Sequence, residues 1–139
     1  MIFNDNKTKG RAGLSLAIAY FGCNGYTVSL PLNDTQDYDL IVDDGEKLYK
    51  VQVKATGQKK ENGNYICSLR TISGTSRVPI NTVKESSADL LFCVTEEQTM
   101  YLFPVKDIVG NTIITLSKKP KSKFASKDSL DTYKYIVTI

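Results

Sequence analysis

Apolar and polar residues alternate with period two over residues 37–54, and this stretch sets the frame for the rest of the chain. Tyr38, Leu40, Val42, Tyr49, Val51 and Val53 fall on one side, and Asp37, Asp39, Lys50, Gln52 and Lys54 on the other. Asp44-Gly45 lies between the two halves and signals a two-residue hairpin turn. Such a turn pairs Asp43 with Glu46, Ile41 with Leu48, Asp39 with Lys50 and Asp37 with Gln52. It leaves Asp39 and Gln52 as diagonal neighbours, roughly 7–8 Å apart at the backbone. On pattern alone, the polar side is either a solvated outer face or a cluster of carboxylate, amide and ammonium groups able to share an ion.

The flanking segments follow the same logic. Leu14, Ala17, Ile18 and Phe21 recur at helical spacing, which predicts a helix over residues 8–22. Asn4, Asp5, Asn6 or Thr8 serves as its cap, and Gly22 or Gly25 ends it. Gly10 and Gly13 weaken helix propensity or admit another backbone closely. Strands are predicted over 26–32, 65–71, 89–95 and 100–105, the third being the continuous apolar run Leu90-Leu91-Phe92-Cys93-Val94. Residues 55–64 read as a loop and 72–87 as irregular, with at most a short helix after Pro79. One or two helical turns fit 104–109, a short edge strand 113–116, and a closing strand 133–139. Helix first and strands after give an α/β or α+β helix-on-sheet architecture.

Composition narrows the chemistry. The 139 residues, 41% apolar and 24% charged, suit one domain with a real core. There is no histidine, which removes Ser-His and Cys-His nucleophile systems, histidine general bases and nearly all zinc sites. Catalysis must then use carboxylates, lysine, tyrosine or a bound hard cation. No apolar run approaches a membrane span, and the polar start lacks the apolar core of a signal peptide. Cys23, Cys67 and Cys93, widely spaced in apolar contexts, suggest reduced thiols in a cytoplasm, with one disulfide plus a leftover thiol as the alternative. Residues 118–127 hold five lysines and no acid, so the net charge of +3 leaves −2 for the remainder. Lys118, Lys119, Lys121 and Lys123, with Phe124 among them, form either a phosphate-contacting segment or a solubilising loop.

Hydrolysis of a phosphodiester needs a hard cation in oxygen ligands and an ammonium near the attacked phosphorus. Asp39 supplies a carboxylate, Gln52 an amide oxygen, the Val53 carbonyl a further ligand, and Lys54 the ammonium. The Gln-x-Lys spacing sets Gln52 and Lys54 on one strand face, about 7 Å apart. Ser15, Ser73 and Thr75 have no base partner and are not read as nucleophiles, and Tyr38, Tyr49 and Tyr65 are assigned to the core.

Asp39, a hairpin and Gln52-Val53-Lys54 resemble the PD-(D/E)XK nuclease motif, with glutamine in the (D/E) position. The chain resembles, more narrowly, the small PD-(D/E)XK family that includes cyanobacterial group I intron homing endonucleases. The likeness runs through Lys9-Gly10, Gly13, Gly25-Tyr26-Thr27-Val28, Pro31, Asp34 and Tyr38-Asp39-Leu40-Ile41-Val42. It continues through Val51-Gln52-Val53-Lys54, Leu69-Arg70-Thr71, Leu91 to Val94 and Tyr101-Leu102-Phe103-Pro104-Val105. The resemblance implies a restriction-endonuclease-like core, a central mixed sheet flanked by helices. It also implies Mg²⁺ (Mn²⁺ in substitution), double-stranded DNA, and a homo-oligomer, dimer or tetramer, that cuts both strands.

The family's first-helix Gly-Glu is Gly13-Leu14 here, so Asp39 is the one charged ligand at the motif positions. Asp34, which matches a family position, and Asp37 are near in sequence and could compensate. Arg70 falls where the family has a phosphate-contacting arginine, and its alternative is a sheet-surface residue. Arg77, Lys59 and Lys60 are further phosphate contacts or plain exposed charge. The expectation is a metal-dependent endodeoxyribonuclease of a phage or mobile element. Its rivals are a nuclease-fold protein that has lost catalysis and binds DNA or blocks a nucleic-acid enzyme, and a protein-binding or structural domain.

Overall fold

The computed structural model describes residues 3–69 and 88–139. Helix α1 (Asn6–Cys23) leads into β1 (Thr27–Ser29), β2 (Leu40–Asp43) and β3 (Leu48–Thr56). Then follow β4 (Tyr65–Ser68), β5 (Leu90–Thr95), β6 (Met100–Pro104), the single-turn helix α2 (Val105–Ile108) and β7 (Ile113–Leu116). A 3₁₀ turn (Thr132–Tyr135) and β8 (Ile136–Val137) close the chain. The short helix read after Pro79 lies outside the described residues.

Asp5 is the residue that caps α1, its carboxylate accepting the Thr8 N–H at 2.7 Å. The helix packs on one face of a six-stranded sheet of order β1-β2-β3-β5-β6-β8. Gly13 makes that contact possible: a Cβ there would meet the Ala55 Cβ at 3.0 Å and the Val53 Cγ1 at 3.4 Å. Ala17, Phe21, Leu40, Val42, Val51, Phe92 and Val94 fill this interface and are wholly buried. Each large side chain so buried contributes about 1.5–3 kcal/mol, so together they far exceed the helix propensity lost to Gly10 and Gly13.

The second face carries another core. Leu91, Cys93, Tyr101 and Phe103 from the sheet meet Tyr65, Cys67, Ile114 and Leu116 from a separate two-stranded sheet, β4-β7, and Val105 and Ile108 of α2. The strand beginning at Tyr65 therefore pairs with β7 rather than joining the hairpin. Cys67 and Cys93, distant in sequence, lie with their sulfurs 3.5 Å apart as free thiols.

The hairpin register differs from the two-residue turn. Asp43 pairs with Leu48 and Ile41 with Lys50, with a four-residue loop at 44–47. The cause is carboxylate capping: Asp43 accepts from the Gly45 N–H at 2.8 Å, and Asp44 accepts from Glu46 at 2.9 Å and Lys47 at 2.8 Å. Gly45, at φ +95°, turns the loop. The slip is of two residues, so the face assignments of β2 and β3 survive it. Tyr38 is the exception: it precedes β2 and packs with the second core, beside Lys50.

Candidate active site

Strand β3 is central, antiparallel to β2 on one edge and parallel to β5 on the other. Pairing with β2 ends at Leu40 and Val51, while β3 runs on to Thr56. At that fork Asp39 takes over with its side chain. Its N–H donates to the Val51 carbonyl at 2.8 Å, and its Oδ2 accepts the Val53 N–H at 2.6 Å. The two bonds bracket Gln52, so Asp39 sits directly across from Gln52 rather than diagonally. Because a strand residue's N–H and C=O leave by the same edge, the Val53 carbonyl also faces the Asp39 edge.

Gln52 and Lys54 project away from α1. Their register partners on β5, Leu91 and Cys93, belong to the second core, whereas those of Val51, Val53 and Ala55 face the helix side. The polar face is thus covered in part: Gln52 is 8% exposed and Lys54 half-buried, while Lys50 is exposed. Asp39 itself is largely exposed. Even so, the protein around its carboxylate strips enough water to raise its pKa from the ordinary aspartate value. The Val53 hydrogen bond and the Lys54 charge pull the other way without cancelling that loss of hydration.

These groups suit a hard cation. The Asp39 carboxylate, the Gln52 amide oxygen and the Val53 carbonyl are one charged and two neutral oxygen donors around the fork, and a partly desolvated carboxylate gains from a divalent partner. No three His, Cys, Asp or Glu side chains cluster among the described residues. The donor set therefore fits an ion that keeps several waters and shares a substrate phosphate, as Mg²⁺ does, better than one needing a full protein cage. Asp34 is exposed in the loop before β2 and forms no such cluster with Asp39. Leu14 packs among the apolar residues between α1 and the sheet, on the side away from Gln52 and Lys54. Arg70, Arg77, Ser73 and Thr75 lie outside the described residues.

The lysine-rich segment is less uniform than its sequence. Lys118 pairs with Glu97, which also holds Lys59 at 3.3 Å. Lys121 donates to the carbonyls of Ser129 at 2.8 Å and Lys127 at 3.2 Å, fixing its own loop. Lys119 and Lys123 are exposed, the latter over the ring of the exposed Phe124. Glu97 carried no signal in the sequence, because its partners lie 38 and 21 positions away.

A carboxylate, an amide and an ammonium thus lie at the fork of a mixed sheet backed by a helix. The sequence model for PD-(D/E)XK endonucleases matches residues 4–135, and the chain belongs to that family. It is similar to the solved structure of a bacterial homing endonuclease, I-Ssp6803I, with a TM-score of 0.76 and 27% identity over 96% of this chain and 89% of that one. A second solved structure, of MepB, aligns with a TM-score of 0.43 and 18% identity over 88% of this chain and 95% of that one. No curated protein matches the chain.

Proposed function

We propose that the protein is a divalent-metal-dependent endonuclease that hydrolyses phosphodiester bonds in duplex DNA, of the homing or phage and mobile-element kind. The observation that carries the reading is the Asp39–Val53 hydrogen bond, which fixes a carboxylate across from Gln52 and within the field of Lys54. The likeness to the bacterial homing endonuclease supports the homing kind.

Asp39, Gln52 and the Val53 carbonyl would hold Mg²⁺, or Mn²⁺ in its place, with Asp34 as a further candidate. When bound, the ion supplies Lewis acidity toward the phosphate and lowers the pKa of water. The chain's own groups do the rest. Asp39 has one oxygen tied to the strand, so the other is held in a fixed direction. The Lys54 ammonium orients the attacking water and offsets charge gathering on the phosphate oxygens. Water attacks directly, with no covalent enzyme intermediate. Arg70, Lys118, Lys119, Lys121 and Lys123 are the candidate backbone contacts, and assembly into a dimer or tetramer sets one site on each strand.

Plasmid nicking tests this. Wild type incubated with Mg²⁺ or Mn²⁺ nicks, EDTA stops it, and Lys54→Ala does not nick. Equal nicking by wild type and Lys54→Ala, or by neither, removes the catalytic reading.

A second reading, a family member that binds nucleic acid without cutting, is favoured by Leu14 and by the single motif carboxylate. It predicts salt-dependent retention on duplex DNA with no nicking.

A further inference from the structure

The β3–β4 loop, the β5–β6 turn and the end of β7 surround an open cleft of about 380 Å³, lined by Asn62, Asn64, Tyr65, Tyr101, Lys118 and Lys119 among others. Two of its features are left unexplained by packing. The first is Tyr101, which is wholly buried and whose hydroxyl has no hydrogen-bond partner among the described residues. Buried hydroxyls without partners are uncommon in native proteins and point to a missing acceptor. Burial pushes this phenol up to about 12, so it remains a donor at physiological pH.

The second feature is the rim. Lys118 and Lys119 line the cleft together with Glu97, and Glu97 bridges Lys118 to Lys59. Among the described residues, the ammonium groups of Lys118 and Lys119 at the cleft, with Lys59 beside it, stand against the Glu97 carboxylate. A donor at the floor beneath a cationic rim is an arrangement for an oxyanion. Glu97 already holds two of the cations in the way such an anion would.

We propose that this cleft is a second site, which seats a phosphate group. Lys118 exchanges Glu97 for the phosphate, Lys119 completes the charge, and the Tyr101 hydroxyl donates to a phosphate oxygen. Glu97 is then a built-in competitor for the incoming anion. Its floor residue Tyr101 is level with Cys93 and Lys54 in the sheet register, two strands across from β3, and its rim lies toward the Thr56–Thr95 end of β3 and β5. In the setting of the function proposed above, the phosphate belongs to duplex backbone away from the cut position. A free phosphate or nucleotide has the same chemistry.

Binding of a fluorescent DNA duplex in EDTA, read by anisotropy, is the test, alongside ¹⁵N amide shifts on adding duplex or inorganic phosphate. Tyr101→Phe and Lys119→Ala are expected to bind about threefold to tenfold more weakly. Glu97→Gln is expected to bind more tightly, with a log–log salt slope steeper by about 0.9 for each lysine it frees. Lys119 is a surface residue, so a folding defect in Tyr101→Phe cannot mimic the result. Duplex binding that all three substitutions leave unchanged overturns the seat while leaving the DNA reading intact. Amide shifts at residues 62–65 and 116–119 with inorganic phosphate, but no duplex binding, support the seat with a free-phosphate source and overturn the DNA reading. No shifts there with either ligand overturn the seat.

Discussion

The carboxylate of Asp39 lies 2.6 Å from the backbone N–H of Val53, and through that bond a side chain takes up the strand edge that β2 leaves at Leu40. The bond ties the candidate ligand to the strand that carries Gln52 and Lys54.

Asp39→Asn should separate activity from stability. The asparagine oxygen still accepts from Val53, while the poorly hydrated charge is gone. Cleavage should fall by about 10²-fold or more, and Tm should hold or rise at neutral pH. In the wild type the raised Asp39 pKa means that its contribution to stability is fully present below the unfolded carboxylate value. That contribution is lost as pH rises through the higher folded value. Thermal melts of both proteins from pH 3 to 7 check the sign: the advantage of Asp39→Asn should grow with pH.

The same shift sets an acid limit on cleavage. A ligating carboxylate must be ionised, and loss of hydration raises the Asp39 pKa, so at limiting metal the acid limb of the rate profile should lie above that of a solvated aspartate. Raising the metal concentration should move that limb to lower pH, because metal and proton compete for one group. Initial nicking rates across pH at two Mg²⁺ concentrations measure this.

Gln52→Glu should exchange stability for metal affinity. Gln52 is 8% exposed, and a carboxylate there without metal costs about 1–3 kcal/mol. Tm should drop in EDTA, recover on adding Mg²⁺, and half-maximal cleavage should need less metal than in wild type. A Tm loss that Mg²⁺ leaves unchanged would place residue 52 outside the ion's reach.

Gly13→Ala tests the helix contact that backs the site. Helix propensity favours alanine by about 0.8–1.0 kcal/mol. The new Cβ, however, meets the Ala55 Cβ at 3.0 Å, and overpacking of this kind costs about 1–3 kcal/mol. A net loss of about 1 kcal/mol is expected, read as a lower urea midpoint with unchanged m.

Thiol labelling checks the second core. Cys23 is exposed, whereas Cys67 and Cys93 are buried against each other. Under native conditions one thiol should react with a disulfide reagent within minutes, and all three after unfolding.

Much of this fold was legible because its signals are local. The period-two runs of β2, β3 and β5 and the helical spacing of α1 each reflect which side of an element is buried. The faces read for Leu40, Val42 and residues 49–54 came out correctly, even though the turn slipped. Tyr38 was misplaced because alternation applies only within a strand, and it lies before one. The slip itself came from Asp43 and Asp44 capping the loop amides, a competition that the Asp-Gly signal does not express. The strand at Tyr65 was visible, but its partner was not: pairing with β7 is a matter of which distant edge is free.

The sequence by itself determined the chemistry on offer, because absent histidine and a Gln-x-Lys pair on one strand face are properties of residue type and spacing. It also determined family membership, which the motif order carries. The tertiary structure decided what those residues meet. Only folding placed the Asp39 carboxylate on the Val53 amide, packed Leu14 on the far side of β3 from Lys54, and drew Lys118 and Lys59 onto Glu97. Those contacts join positions from 14 to 38 residues apart or more, and a one-dimensional pattern holds no record of which distant groups will share a low-dielectric space.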